Sequence, residues 1–233
     1  MKQLFLITAI VTSVLTYAQN DASKILKQYG FTTETVLSVL DNSRSKYSFK
    51  VTGSNHVYSE ANKTDNTTHR VYSFDNRKPD GFKFALLSVE GKAPSKRQLK
   101  HFNKEKNTLS NDSIMKLSEK DFFVKSDDDK SSILGFNMPK EELPSKIAFM
   151  SHCTGFIHID KKSGLITKIE IESNEGFNMK IFHITELKTS MSLAFNKEKK
   201  MYYITHESTN TKALVLGSIT SIEMEEEYSD FNF

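Results

Sequence analysis

The sequence predicts a mainly β fold of the α+β kind, an antiparallel meander of about 10–12 strands with two or three short helices packed against or over it. Three observations predict it. From Lys46 onward apolar and polar residues alternate with a period of two. Short polar turns, rather than helix-length segments, separate most of the alternating runs, so neighbouring strands pair antiparallel without parallel crossovers. Helical spacing is confined to Asn20–Asn42 and Pro94–Lys106.

Taken in order, Ile25, Leu26 and Tyr29 share one helical face, and Val36, Leu37 and Leu40 repeat the pattern after Gly30. Asp21 and Thr32 or Thr33 are N-caps and Gly30 is a C-terminal stop, giving two short helices. Tyr47, Phe49 and Val51 then alternate with polar neighbours as a half-buried strand does. The predicted strands are Tyr47–Gly53, Thr67–Phe74, Phe82–Val89, Asp121–Lys125, Ser132–Asn137, Ala148–Cys153, Phe156–Asp160, Leu165–Glu172, Asn178–Leu187, Ser190–Asn196, Lys200–Glu207 and Thr220–Glu227. Residues 127–130, 160–164 and 196–200 read as hairpin tips, the middle one with Asp first and Gly last. Pro94–Lys106 interrupts the meander with a helix whose Leu99 and Phe102 share a face among basic residues, Pro94 taking its first turn.

Composition excludes several classes. A hydrophobic fraction of 37% with 26% charged residues is that of a folded chain. A net charge of +3, with the basic residues dispersed, gives no electrostatic footprint for nucleic acid. One cysteine among 233 residues makes neither an internal disulfide nor a zinc ribbon. Met1-Lys2-Gln3, the apolar run Leu4–Leu15 and a small residue at Ala18 read as a secretory signal peptide over residues 1–18. The run of about 12 residues is too short for a membrane anchor, which takes about 20. No cysteine follows it, so the expected product is a periplasmic or secreted protein, not a lipoprotein, with no integral membrane segment after cleavage. With no internal repeat and no low-complexity linker, residues 19–233 are expected to form a single domain. Sequons at Asn62, Asn66 and Asn111 are matches of a kind an Asn-rich chain gives by chance.

Few residues suggest chemistry. His152 beside Cys153 mimics a base and thiol, but neighbours in a strand face opposite ways, so Cys153 reads as a structural thiol. His152, His158, His183 and His206 lie on separate predicted strands without metal-ligand spacing, although adjacent strands would bring His158 and His183 onto one face. Ser43–Lys46 and Ser113–Lys116 match S-x-x-K, and Lys162-Ser163-Gly164 mimics its companion triplet, in contexts that do not suit a serine enzyme. Asp127-Asp128-Asp129 lacks the ligand pattern of a calcium loop and reads as a solvated turn. Glu223, Glu225, Glu226 and Glu227 alternate partly with Ile222 and Met224 as a strand with one charged face. No metal and no cofactor is expected. Seventeen Phe, eight Met, eight Tyr and no Trp make an interior of flat and flexible side chains, which either fills a large curved sheet or leaves room for a ligand.

The stretch Phe74-Asp75, Pro79-x-Gly81, Phe84-x-Leu86-Leu87-x-Val89, Gly91 and Pro94-Ser95 resembles one found in uncharacterised secreted bacterial proteins, with Phe84 where Trp is expected. Gly155–Asp160 followed by Leu165–Glu172 is similar to a later hairpin of that group. These proteins resemble the superfamily of the lipoprotein-localisation carrier LolA. The resemblance implies a curved antiparallel half-barrel closed by helices over residues 19–233. It also implies a non-catalytic carrier for an apolar ligand, a lipid or the acyl chain of a lipoprotein. The residues expected to provide apolar surface for it are Leu86, Leu99 and Phe102, with Ile25 and Leu37 on a lid. The alternatives are a protein-interaction module of the cell envelope with a filled core, bound to an envelope protein, and a hydrolase.

Overall fold

A computed structural model of the chain describes residues 22–42, 46–107, 117–179 and 182–233. The signal-peptide segment, both S-x-x-K serines and Asn111 lie outside the described residues. Among the described residues two helices come first: α1 over 22–28 and α2 over Thr33–Asn42. Gly30 stops α1 at φ +69°, with its own N–H on the Lys27 carbonyl and that of Phe31 on the Leu26 carbonyl, a Schellman arrangement. Thr32 caps α2 by accepting a hydrogen bond from the Thr35 N–H at 3.2 Å.

Eleven strands follow among the described residues: β1 Ser48–Ser59, β2 Thr64–Phe74, β3 Phe84–Val89, β4 Phe122–Asp127, β5 Ser131–Asn137, β6 Cys153–Asp160, β7 Leu165–Ser173, β8 Phe177–Met179, β9 Phe182–Asn196, β10 Met201–Val215 and β11 Ser218–Asn232. They form one sheet in the order β3-β2-β1-β11-β10-β9-β7-β6-β5-β4, with β8 paired to β9, and every pairing is antiparallel. It is curved and not closed into a barrel, with β3 and β4 as its edges. Register shifts in the β1–β11, β2–β3, β4–β5, β6–β7 and β9–β10 ladders each add an unpaired residue, which bends the strand. The sheet is two meanders joined at one seam, because β1 pairs with β11 along nearly its whole length. Between the two edge strands in sequence comes α3, Lys96–Asn107, which packs at the β3 edge.

Several boundaries differ from those the sequence suggests. Ala148–Cys153 is not a strand; a 3-10 helix over Ser145–His152 stands there, started by Pro144, whose carbonyl accepts from the Ile147 N–H at 2.9 Å. The run Ile147–Met150 is apolar without alternation, so nothing in it specifies a period of two. The expected break at Lys188-Thr189 is absent and β9 runs straight through, since no Gly or Pro interrupts the pleat. Strands β10 and β11 extend to a two-residue turn at Leu216-Gly217, both with positive φ. Helix α3 begins after Ser95, which exchanges hydrogen bonds with Gln98 as a capping box, so Pro94 precedes the cap. Its Phe102 is buried against the Tyr72 ring at 5.4 Å, whereas Leu99 is 36% exposed.

The core lies on one face of the sheet. Phe49, Phe74 and Phe84 stand in register across β1, β2 and β3 with ring centroids 5.1 and 4.8 Å apart. On the far side of the sheet glycines make room for rings: Phe136 of β5 lies flat over Gly155 of β6, and Phe123 of β4 over Gly135 of β5. A Cβ at residue 155 would sit inside the Phe136 ring. Gly155→Ala is therefore expected to destabilise the fold by about 1–3 kcal/mol, read as a lowered midpoint in urea unfolding with unchanged slope.

Candidate functional site

The covered face of the sheet is not completely filled. Helix α2 presents Val39 and Leu40, and the 3-10 helix presents Phe149 and Met150, over the part of the sheet made by β7 to β10. Between them and the strands lies a cavity of about 480 Å³. Its floor is apolar, from Ile171, Ile184, Met191 and Ile204, and Phe177 of the short β8 closes one side. Among the described residues the only charged side chain in its wall is Glu207 of β10.

The five residues expected from the sequence lie elsewhere. Leu86 and Phe102 are buried near the β3 edge, Leu99 is exposed on α3, Ile25 is buried on α1, and Leu37 is half-buried on α2. None of them lines this cavity. Of those that do, Ile171, Ile184, Met191 and Ile204 were legible as apolar positions of predicted strands, but which stretch of the sheet lies beneath the helices is a tertiary property.

A row of polar residues crosses the same face beside the cavity. Strand register places Met191, Glu207, Glu226, Gly53, Arg70 and Val89 side by side on six successive strands. Gly53 lies between Glu226 and Arg70. Because it has no side chain, the carboxylate and the guanidinium reach across β1 to within 3.7 Å of each other. A Cβ at Gly53 would already be 3.2 Å from Glu226 Cγ. Glu226 is 7% exposed and accepts from the Tyr72 hydroxyl at 2.9 Å and the Tyr228 hydroxyl at 3.0 Å. Glu226 thus faces inward, while Glu223, Glu225 and Glu227 make the charged outer face read from the sequence. Arg70 also pairs with Glu105 of α3 at 3.1 Å. Burial alone would lower the Arg70 pKa, but Glu105 and Glu226 outweigh it and raise it. These groups and Lys106 surround a second, smaller cavity of about 220 Å³, and Glu207 lines both.

The candidate catalytic and metal residues do not assemble. His158 and His183 stand on β6 and β9, which β7 separates. The imidazoles bond instead to local partners: His158 to Glu170 at 2.7 Å, His183 to Asn178 at 2.9 Å, and His206 to Glu225 and Glu227 at 2.9 and 2.8 Å. Among the described residues no group of three or more His, Cys, Asp or Glu is placed to hold a metal ion. Asp128 folds its carboxylate back onto the N–H groups of Lys130 and Ser131, and Asp160 does the same for Ser163, so both loops are turns. His152 ends the 3-10 helix, bonded to Glu175 at 2.9 Å and stacked on Phe177. Cys153 is 2% exposed, and burial pushes its thiol up to about 11. A disulfide reagent at pH 8 is expected to leave Cys153 unmodified in the native protein and to label it within minutes in urea; rapid native labelling would contradict this placement.

No protein-family model matches the chain, and no curated protein matches it. Among solved structures it is similar to a LolA superfamily protein from Nitrosomonas europaea, at 11% identity over 91% of this chain and 93% of that one, with a TM-score of 0.33. It is also similar to a DUF1329 family protein from Desulfovibrio piger, at 9% identity over 94% of this chain and 92% of that one, with a TM-score of 0.33.

Proposed function

We propose that the protein is a non-catalytic binding protein of the periplasm or exterior, which holds the hydrocarbon chain of a lipid or lipoprotein between its sheet and α2. The observation that carries this reading is the apolar cavity of about 480 Å³ under α2 and the 3-10 helix, a volume typical of small-molecule sites. Each methylene moved from water onto its walls contributes roughly 0.8 kcal/mol. Two of those walls are short helical segments rather than sheet, so the cover can shift while the ladders stay intact, and this provides for loading and release. Among the described residues no helix is long and apolar enough to cross a membrane.

A second reading, an envelope interaction module, has one observation of its own. The β10–β11 turn holds Leu216 94% exposed, with exposed Leu214 and Ile219 beside it.

Native mass spectrometry of the chain from Gln19, exported in a bacterial host and purified without detergent, separates the two. The binding reading expects a lipid-sized adduct that organic solvent removes. It further expects Met191→Trp, which fills the cavity floor, to lose the adduct while keeping a cooperative thermal transition. A clean apo mass for the wild-type protein would move the weight to the interaction module.

A further inference from the structure

Resting on the reading of the larger cavity as a hydrocarbon site, we infer that the ligand carries an anionic head group, and that this head lies in a third cavity sharing the Val39 wall. This cavity, of about 410 Å³, is bounded by the α1–α2 corner, the β6–β7 turn and the β9–β10 turn. It adjoins the hydrocarbon site at two places. Val39 of α2 lines both spaces, and Tyr202 and Ile204, successive inward residues of β10, line one each. Those two positions are about 7 Å apart along the strand. A chain laid over Ile204 and past Val39 therefore carries its polar end to Tyr202.

The polar part of the third cavity is made of donors. Lys46, just before β1, and Lys200, in the β9–β10 turn, both line it, and neither ammonium has a hydrogen-bond or ion-pair partner among the described residues. Tyr202 is 8% exposed and its hydroxyl accepts from the Ile166 N–H at 3.2 Å, while no acceptor among the described residues takes its own proton. The Ser38 hydroxyl, by contrast, is used within α2, donating to the Thr35 carbonyl at 2.8 Å. Among the described residues no carboxylate lines the cavity. Asp160 of the neighbouring turn folds back onto the N–H and hydroxyl of Ser163, and the Lys161 ammonium beside it is paired with Asp127 at 2.7 Å. A buried hydroxyl proton without an acceptor is costly, and two ammoniums lining one space repel each other, so both favour a guest that accepts hydrogen bonds and is negatively charged. A cationic head would add to the charge already there. The ligand class is accordingly a single-chain amphiphile with an anionic head, of which a long-chain carboxylate is the simplest.

Calorimetric titration with dodecanoate, dodecyl maltoside and dodecyltrimethylammonium, each below its micelle concentration at pH 7, tests the inference with one chain length and three heads. Dodecanoate is expected to bind about tenfold more tightly than dodecyl maltoside, the scale of one charge-assisted hydrogen bond, with the cation weakest. The double variant Lys46→Gln, Lys200→Gln is expected to lower dodecanoate affinity about tenfold and to leave dodecyl maltoside unchanged, with thermal melting as the check on folding. Equal affinities, a preference for the cation, or a folded double variant that binds dodecanoate as the wild-type protein does would overturn the head-group assignment and leave the hydrocarbon site standing. Failure of all three to bind the wild-type protein would overturn the hydrocarbon site itself. If the double variant does not fold, the wild-type protein decides alone: the advantage of dodecanoate over the maltoside shrinks at high salt if these ammoniums hold the head, and its persistence counts against them.

Discussion

The pairing of β1 with β11 is the constraint on which the architecture depends. It joins strands near opposite ends of the chain, so its loop-closure entropy is large, and only a long ladder with a buried face offsets such a cost. Along that ladder Val51 lies opposite Tyr228, and the Phe49 and Tyr228 rings pack at 5.3 Å. Remove the seam and the chain becomes a three-stranded piece and an eight-stranded piece, each with an unpaired edge. With the seam in place the sheet is wide enough to curve around α1 and α2, and the space beneath α2 exists because that curve is too deep for two short helices to fill.

Polar residues on the covered face are arranged by the same seam. Gly53 belongs to β1, Glu226 to β11 and Arg70 to β2, so the carboxylate and guanidinium meet only because the three strands are neighbours. A residue without a side chain here works as a gap in the row, as Gly155 does beneath Phe136. In both places an absent Cβ is used for a through-space contact that a larger residue would block. The aromatic-rich, tryptophan-free composition suits this construction, since flat rings lie over glycines and methionines accommodate the remaining irregular space.

Local chemistry made much of the fold legible. The Gly30 stop, the Asp160–Gly164 turn and the period-two runs from Tyr47 onward are consequences of short-range sterics and hydrogen bonding, and the structure keeps the stop, the turn and the strands predicted from those runs other than Ala148–Cys153. Where the apolar run was continuous, at Ile147–Met150, the sequence held no period to read, and tertiary packing selected a 3-10 helix. The site was less legible than the fold. Ile184, Met191 and Ile204 look in sequence like any inward strand residue, as Leu86 does. What separates them is whether a helix fills the space above, and α1, α2 and the 3-10 helix cover only part of the sheet. Gly53 reads as a strand end by propensity, and only the register of its two neighbours shows that it lies mid-strand between opposite charges.

The β1–β11 seam also has a consequence for synthesis. A chain emerging from a ribosome can pair β1, β2 and β3 early, but the other side of β1 has no partner until β11 has been made. The curved sheet, and with it the covered interior, is thus completed late, after nearly the whole chain is available. A chain that cannot finish folding from its N-terminal half stays extended until its last strand arrives.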